Sequence, residues 1–204
     1  MTSPRDKILQ LIANGTISPE EGDKLLSAIK PEPSFWDKWL LDPFSVMETS
    51  AAWLLALLVA AGSIALYQFD IRFLGALDIQ TFKDASLTNA LVDQLAAWIC
   101  MALCFYLVAR AAKQKASLLE MMAFVGAARL PHLIAGIFTV LAQHYSWAKL
   151  TTIFIIPLIG WTMLALISGF RIASNAKGKS LAMTFFIALS LSEILSKLII
   201  EVLK

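Results

Sequence analysis

Five ionisable residues, Asp93, Arg129, His132, Glu193 and Lys197, stand inside stretches that are otherwise apolar. In such surroundings a charge is expensive. It persists where it pairs with an opposite charge, lines a polar path or relays protons. Arg129, His132 and Glu193 have the composition of a polar path, so a small transporter or channel is one reading. Helix arithmetic supplies another. Arg129 lies 11 residues from the start of its stretch and Glu193 lies 13 from the start of its own. At 1.5 Å of rise per residue the two differ in depth by about 3 Å. Asp93 and Lys197 lie four and six residues from the opposite ends of theirs. Arg129–Glu193 and Asp93–Lys197 are therefore expected to pair across helices. A structural role is favoured over transport because each charge has an available partner. Glu193 and Lys197, at i, i+4, have the alternative of pairing along one helix. His132, beside Arg129, reads as a hydrogen-bonded packing residue before a relay.

Other chemistry is not written in the chain. Cys100 and Cys104 share a helix face at i, i+4, which is neither a CxxC redox pair nor a metal-ligand set, so buried apolar use is expected. HExxH, GxSxG, paired aspartates and a phosphate-cradling glycine loop are all missing. No catalytic residue, cofactor or metal is expected, and the protein reads as a non-enzyme.

The elements that must position these residues are five apolar stretches, Ser50–Tyr67, Asn89–Ala109, Leu118–Ala142, Leu150–Phe170 and Ser180–Leu203. Each approaches the roughly 20 residues that a helix needs to cross a ~30 Å hydrocarbon core. With 58% hydrophobic and only 16% charged residues, the fold class is all-α, a five-span polytopic bundle in contact with the lipid bilayer. Pro131 removes a backbone donor in the third stretch and should kink it. Ala188, Ser192 and Ser196 form a small-residue stripe on the fifth, expected to pack against Ala123, Gly126 and Ala127 of the third.

Charge sets the orientation. Arg110, Lys113 and Lys115 crowd the loop after span two, and Arg171, Lys177 and Lys179 the loop after span four. The other two loops hold Arg72 and Lys83 over a longer segment, and Lys149. The positive-inside rule places both dense loops and the N-terminus in the cytoplasm, with Lys204 outside. No basic n-region leads into an apolar h-region, so no cleaved signal peptide is expected. Trp36, Trp39, Tyr67, Tyr145 and Trp147 sit where interfacial belts would place them. The bases form no continuous stripe, and nucleic acid is not an expected partner.

The first fifty residues hold eight acids against five bases, an acidic head on a basic membrane body. Within residues 1–30, Ser3-Pro4-Arg5-Asp6 and Ser18-Pro19-Glu20-Glu21 each supply an N-cap, a proline at the first helical position and an acid at the third. Asn14-Gly15 provides a left-handed stop between them. Ile8, Leu11 and Ile12, with Leu25, Leu26 and Ile29, give each helix one apolar stripe. So small a hairpin buries little core and should dock on a second surface: the membrane, a copy of itself in a homo-oligomer, or another membrane protein. Residues 31–49 read as a linker, broken by Pro31-Glu32-Pro33, with an interfacial amphipathic turn at Phe35, Trp36, Trp39 and Leu40. Residues 50–204 form the membrane domain.

The run from Asp6 to Ile29 resembles the short bihelical SHOCT-like domains of bacterial membrane and envelope-stress proteins. That resemblance implies a bacterial protein of the inner membrane and admits a stress sensor or regulator. Residues 35–203 are similar to the Yip-domain family. The similarity rests on Phe35-Trp36-Asp37-Lys38-Trp39-Leu40-Leu41-Asp42-Pro43, on Leu118-Leu119-Glu120 leading to Gly126-Ala127-Ala128-Arg129-Leu130-Pro131, on Gly169-Phe170-Arg171, and on Ser192-Glu193-Ile194-Leu195-Ser196-Lys197. The acidic-Leu-Tyr-Gly-Pro element of eukaryotic members, which associate with Rab-type GTPases, is echoed by Leu41-Asp42-Pro43. The resemblance implies five spans and a non-enzymatic membrane adaptor, or an accessory to another membrane complex.

Overall fold

A computed structural model describes residues 4–28, 40–75, 78–82, 86–145 and 148–203. The chain forms two compact units, residues 1–35 and 36–204. In the first unit, α1 (Pro4–Ala13) and α2 (Pro19–Ala28) pack as a hairpin. The start of α2 closes a reciprocal capping box. The Ser18 amide and hydroxyl donate to Glu21 Oε2 at 3.0 and 3.1 Å, and the Glu21 amide donates to Ser18 Oγ at 3.2 Å. The turn follows Gly15 at φ 67°, and the Thr16 amide returns to the Leu11 carbonyl at 2.9 Å. Of the expected docking face, Ile8, Ile12 and Leu26 are half-buried, whereas Leu11 and Leu25 are 39% and 45% exposed. Ile29, Ser3, the Pro31-Glu32-Pro33 linker and Phe35, Trp36 and Trp39 lie outside the described residues.

The second unit holds α3 (Thr49–Ala65), β1 (Ile71–Phe73), β2 (Ile79–Thr81), α4 (Leu87–Ala111), α5 (Leu118–Ala127), α6 (Leu130–His144), α7 (Ala148–Ser174) and α8 (Gly178–Val202). Five of its segments are long and apolar enough to cross a membrane: Thr49–Phe69, Leu87–Ala111, Leu118–His144, Ile153–Ser174 and Gly178–Val202. The molecule is an all-α polytopic bundle. One short antiparallel ribbon interrupts it, with Arg72 opposite Gln80.

The third span is two helices. It breaks at Ala128–Arg129, and Pro131 stands in the first turn of α6. Proline has no N–H for the Ala127 carbonyl and its ring crowds that oxygen, so the helix gives way just upstream. The Arg129 amide turns back to the Gly126 carbonyl at 3.3 Å, and a new ladder starts with the Leu133 amide on the Arg129 carbonyl at 3.0 Å.

Small residues and aromatics set the packing, since burial from water supplies no drive between helices within lipid. The small stripe of α8 is buried, with Ala188, Ser192 and Ser196 each at 2% exposure or less. Here the sequence reading needs correction, because α8 packs most extensively on α4, and span three's glycine is used elsewhere. At Gly126 an added Cβ would fall 2.6 Å from the Cβ of Ala56, so that glycine lets α5 approach α3. The Trp98 indole of α4 donates to the Met122 carbonyl at 2.8 Å and ties a third helix in. Phe105, Phe170 and Phe185 bring spans two, four and five together, with centroids 5.3 to 6.0 Å apart. Cys100 and Cys104 are buried free thiols.

Candidate functional site

The loop between spans one and two folds back into the bundle. Asp70, in the left-handed region at φ 58°, turns the chain into β1. Ile71, Arg72 and Phe73 are then all buried. Ile71 and Phe73, with Leu66, form a small core beside Leu133 and Val140 of α6. Between them Arg72 points to α4, where its guanidinium binds the Asp93 carboxylate and lies 4.6 Å over the Phe82 ring. The two charged side chains are 5% and 1% exposed.

Beyond β1 the backbone reaches the break in span three. Arg129, the bulkiest of the fully buried side chains, donates from Nη2 to the Gly75 carbonyl at 3.2 Å. Glu193 of α8 rests on the same residue. A Cβ on Gly75 would stand 2.5 Å from Oε2 and 2.9 Å from Oε1, so the carboxylate lies directly over this glycine and would have to swing aside for any side chain there. Arg129 and Glu193 therefore meet around Gly75. His132 is 2% exposed and sits edge-on to Phe73, with ring centroids 5.0 Å apart. Among the described residues neither of its ring nitrogens has a hydrogen-bond partner, and neither has Arg129 Nη1. The hydrogen bond expected of His132 is not formed among the described residues.

The expected Asp93–Lys197 pair is not formed. Helix arithmetic made the two level but could not say whether they face one another, and Asp93 is taken by Arg72. Lys197, 53% exposed, instead extends its ammonium to Asp78 at 3.3 Å and to Glu193, its i, i+4 neighbour, at 3.8 Å. The ribbon is thus tied to spans two, three and five through Asp93, Arg129 and Lys197.

A second polar junction lies at the opposite end of the bundle. Asp42 accepts from the Ser168 hydroxyl and from the Arg171 guanidinium of α7. Pro43 and Phe44, next in the chain, are buried, and the Phe44 ring sits 5.2 Å from that of Phe124 in α5. Gly169 completes the contact, since a Cβ added there would fall 2.9 Å from the Phe124 Cβ. Segments 42–44, 118–127 and 168–171, scattered in the sequence, converge here.

A Yip1 domain model matches residues 27–195, which is most of the chain. The chain belongs to the Yip1-domain family. A SHOCT-like domain model matches residues 3–34, the capped hairpin. Neither a curated protein nor a solved structure matches the chain. In this Yip1-domain protein residues from each of the four motif segments stand at the two polar junctions. Asp42-Pro43 and Gly169 with Arg171, joined by Phe124 of α5, build one; Arg129 and Glu193 build the other.

Arg72, Gly75 and Asp78 escaped the sequence reading, which counted the segment only as loop charge. A signal was present. Ile71-Arg72-Phe73 and Ile79-Gln80-Thr81 are β-branched or aromatic around one polar residue, which favours strands. Asp42 was noted for its motif and not for its partners, because its α7 partners lie more than a hundred residues away.

Proposed function

We propose that this Yip1-domain protein is a non-enzymatic membrane adaptor of the bacterial inner membrane. Its bundle is the anchor and its SHOCT-like hairpin is the cytoplasmic docking module for another membrane protein or complex. The observation that carries the reading is the hairpin's surface. Leu9, Leu11 and Leu25 are 47%, 39% and 45% exposed on a unit in which the end of α1 and the start of α2 are already satisfied by a glycine turn and a capping box. Locally complete caps make exposed leucines available for binding, since they are not required to hold the helices' ends. The second unit supports an anchor over a path. The charges of spans two, three and five are engaged by a ribbon folded among them.

Crosslinking and affinity capture of the full chain from native membranes, beside a chain lacking residues 1–30, tests this. The expected result is a membrane complex captured only by the full chain, with equal insertion of both. An identical capture profile would remove the hairpin from docking. Solute flux in liposomes that requires Arg129 and His132 would favour the transport reading.

A further inference from the structure

At the end of the bundle opposite the ribbon, the two dense basic loops adjoin. Gln114 donates from Nε2 to the hydroxyls of Ser180 at 3.1 Å and Thr184 at 3.3 Å, so the loop after span two lies against the start of span five. Lys113 and Lys115 flank this bridge on one side; Lys177 and Lys179 stand on the other. Beside it opens a cavity of about 650 Å³ between α7 and α8. Its polar wall is Arg171, Asn175 and Lys177, and its apolar floor includes Ile172 and Leu181.

The electrostatics of this wall are unbalanced. Asp42, which faces Arg171, is already bound by that guanidinium and by Ser168. The first turn of α8 carries no acid, Lys177 at its N-cap makes no side-chain cap, and Lys179 follows. A helix start favours negative charge, and here two exposed cations stand where an anion is stabilised. A free anion would have no use for an apolar floor. A phospholipid has both a phosphate and acyl chains, and α7 and α8 are each apolar enough to span a bilayer.

We infer that this cavity is a headgroup site for an anionic phospholipid, with Lys177 at the phosphate, Lys179 adding field, the Asp42-bound Arg171 at the rim, and Ile172 and Leu181 against the first acyl carbons. A basic pocket between membrane helices selects anionic over zwitterionic headgroups by charge. Binding falls with salt, because these cations are solvent-exposed.

Native mass spectrometry of the delipidated full chain, titrated with phosphatidylglycerol and with phosphatidylcholine of the same acyl chains, tests the site. Phosphatidylglycerol is expected to bind about tenfold tighter, the scale set by a few cations at a bilayer surface. K177A/K179A should remove that preference, weakening phosphatidylglycerol binding more than phosphatidylcholine binding, and leave the melting temperature in phosphatidylcholine unchanged; K177R/K179R should keep it. If the double alanine variant does not fold, K177Q carries the same test at about a threefold loss. Equal binding of the two lipids, a preference that survives K177A/K179A, or displacement of phosphatidylglycerol by millimolar inorganic phosphate would overturn the assignment.

Discussion

Arg72, carried on a three-residue strand in the loop between spans one and two, forms a buried ion pair with Asp93 of span two. A loop residue thereby supplies the counter-charge that a neighbouring helix was expected to give. The ribbon becomes part of the bundle's interior.

Removing either member of the Arg72–Asp93 pair takes the opposite charge from a group in a site that is 95% or more buried. Arg72→Ala and Asp93→Ala are each expected to destabilise the protein by about 3–5 kcal/mol. The double variant should cost clearly less than the sum. Unfolding in detergent, followed across the double-mutant cycle, measures this, and additive losses would show that the pair is uncoupled.

A methyl group at Gly75 would press on the Glu193 carboxylate, the tip of a flexible side chain. Gly75→Ala should cost about 0.5–1.5 kcal/mol, the scale of moving one side chain off its preferred rotamer. Glu193→Asp in that background, which withdraws the carboxylate and keeps its charge, should recover part of the loss. Thermal shift of the two single variants and the double variant reads the effect. A loss unaffected by Glu193→Asp would place the strain elsewhere.

Asp42 clasps the chain before span one to α7. Asp42→Ala should raise amide exchange of residues 42–47 and leave the spans protected, because Arg171 and Ser168 lose the acceptor that fixes this segment. The effect on global stability should be about 1 kcal/mol or less, since the pair is partly exposed. Hydrogen exchange by mass spectrometry separates the local effect from a global one.

In the hairpin, hydrogen bonds from Ser18 hold the Glu21 carboxyl below its ordinary value of 4.5. The folded form binds the proton less readily than the unfolded form, so the box stabilises α2 fully above that ordinary value. The stabilisation is lost as pH falls through the lower folded value. Protection of the Ser18 and Glu21 amides should fall over that acid range in the full chain. Glu21→Gln should show no such step, and an identical acid profile in both would remove Glu21 as the cause.

Much of this architecture was legible in one dimension. The five spans follow from runs of apolar residues long enough to cross a bilayer. The capping box follows from Ser18 and Glu21 standing three apart, and the break in span three follows from Pro131. Each is a local property, fixed by the length of a run or by groups within one helical turn. The depths of Arg129 and Glu193 were also legible, because rise per residue is constant along a helix.

Which charge meets which was a different matter. Helix rise gives the height of Asp93 and Lys197 but not the azimuth at which each helix presents them, and azimuth is set by packing. Only the tertiary fold put the stripe of Ala188, Ser192 and Ser196 on span two and Gly126 against Ala56. Only it folded Arg72 and Gly75 into the interior, where Asp93, Arg129 and Glu193 found partners that no spacing along the chain announced. The sequence by itself determined the five spans, the hairpin's caps and the place of the break, because these depend on local sterics and on transfer from water. The tertiary structure alone decided the pairing of charges, because burying a charge becomes tolerable only where a distant segment arrives to balance it.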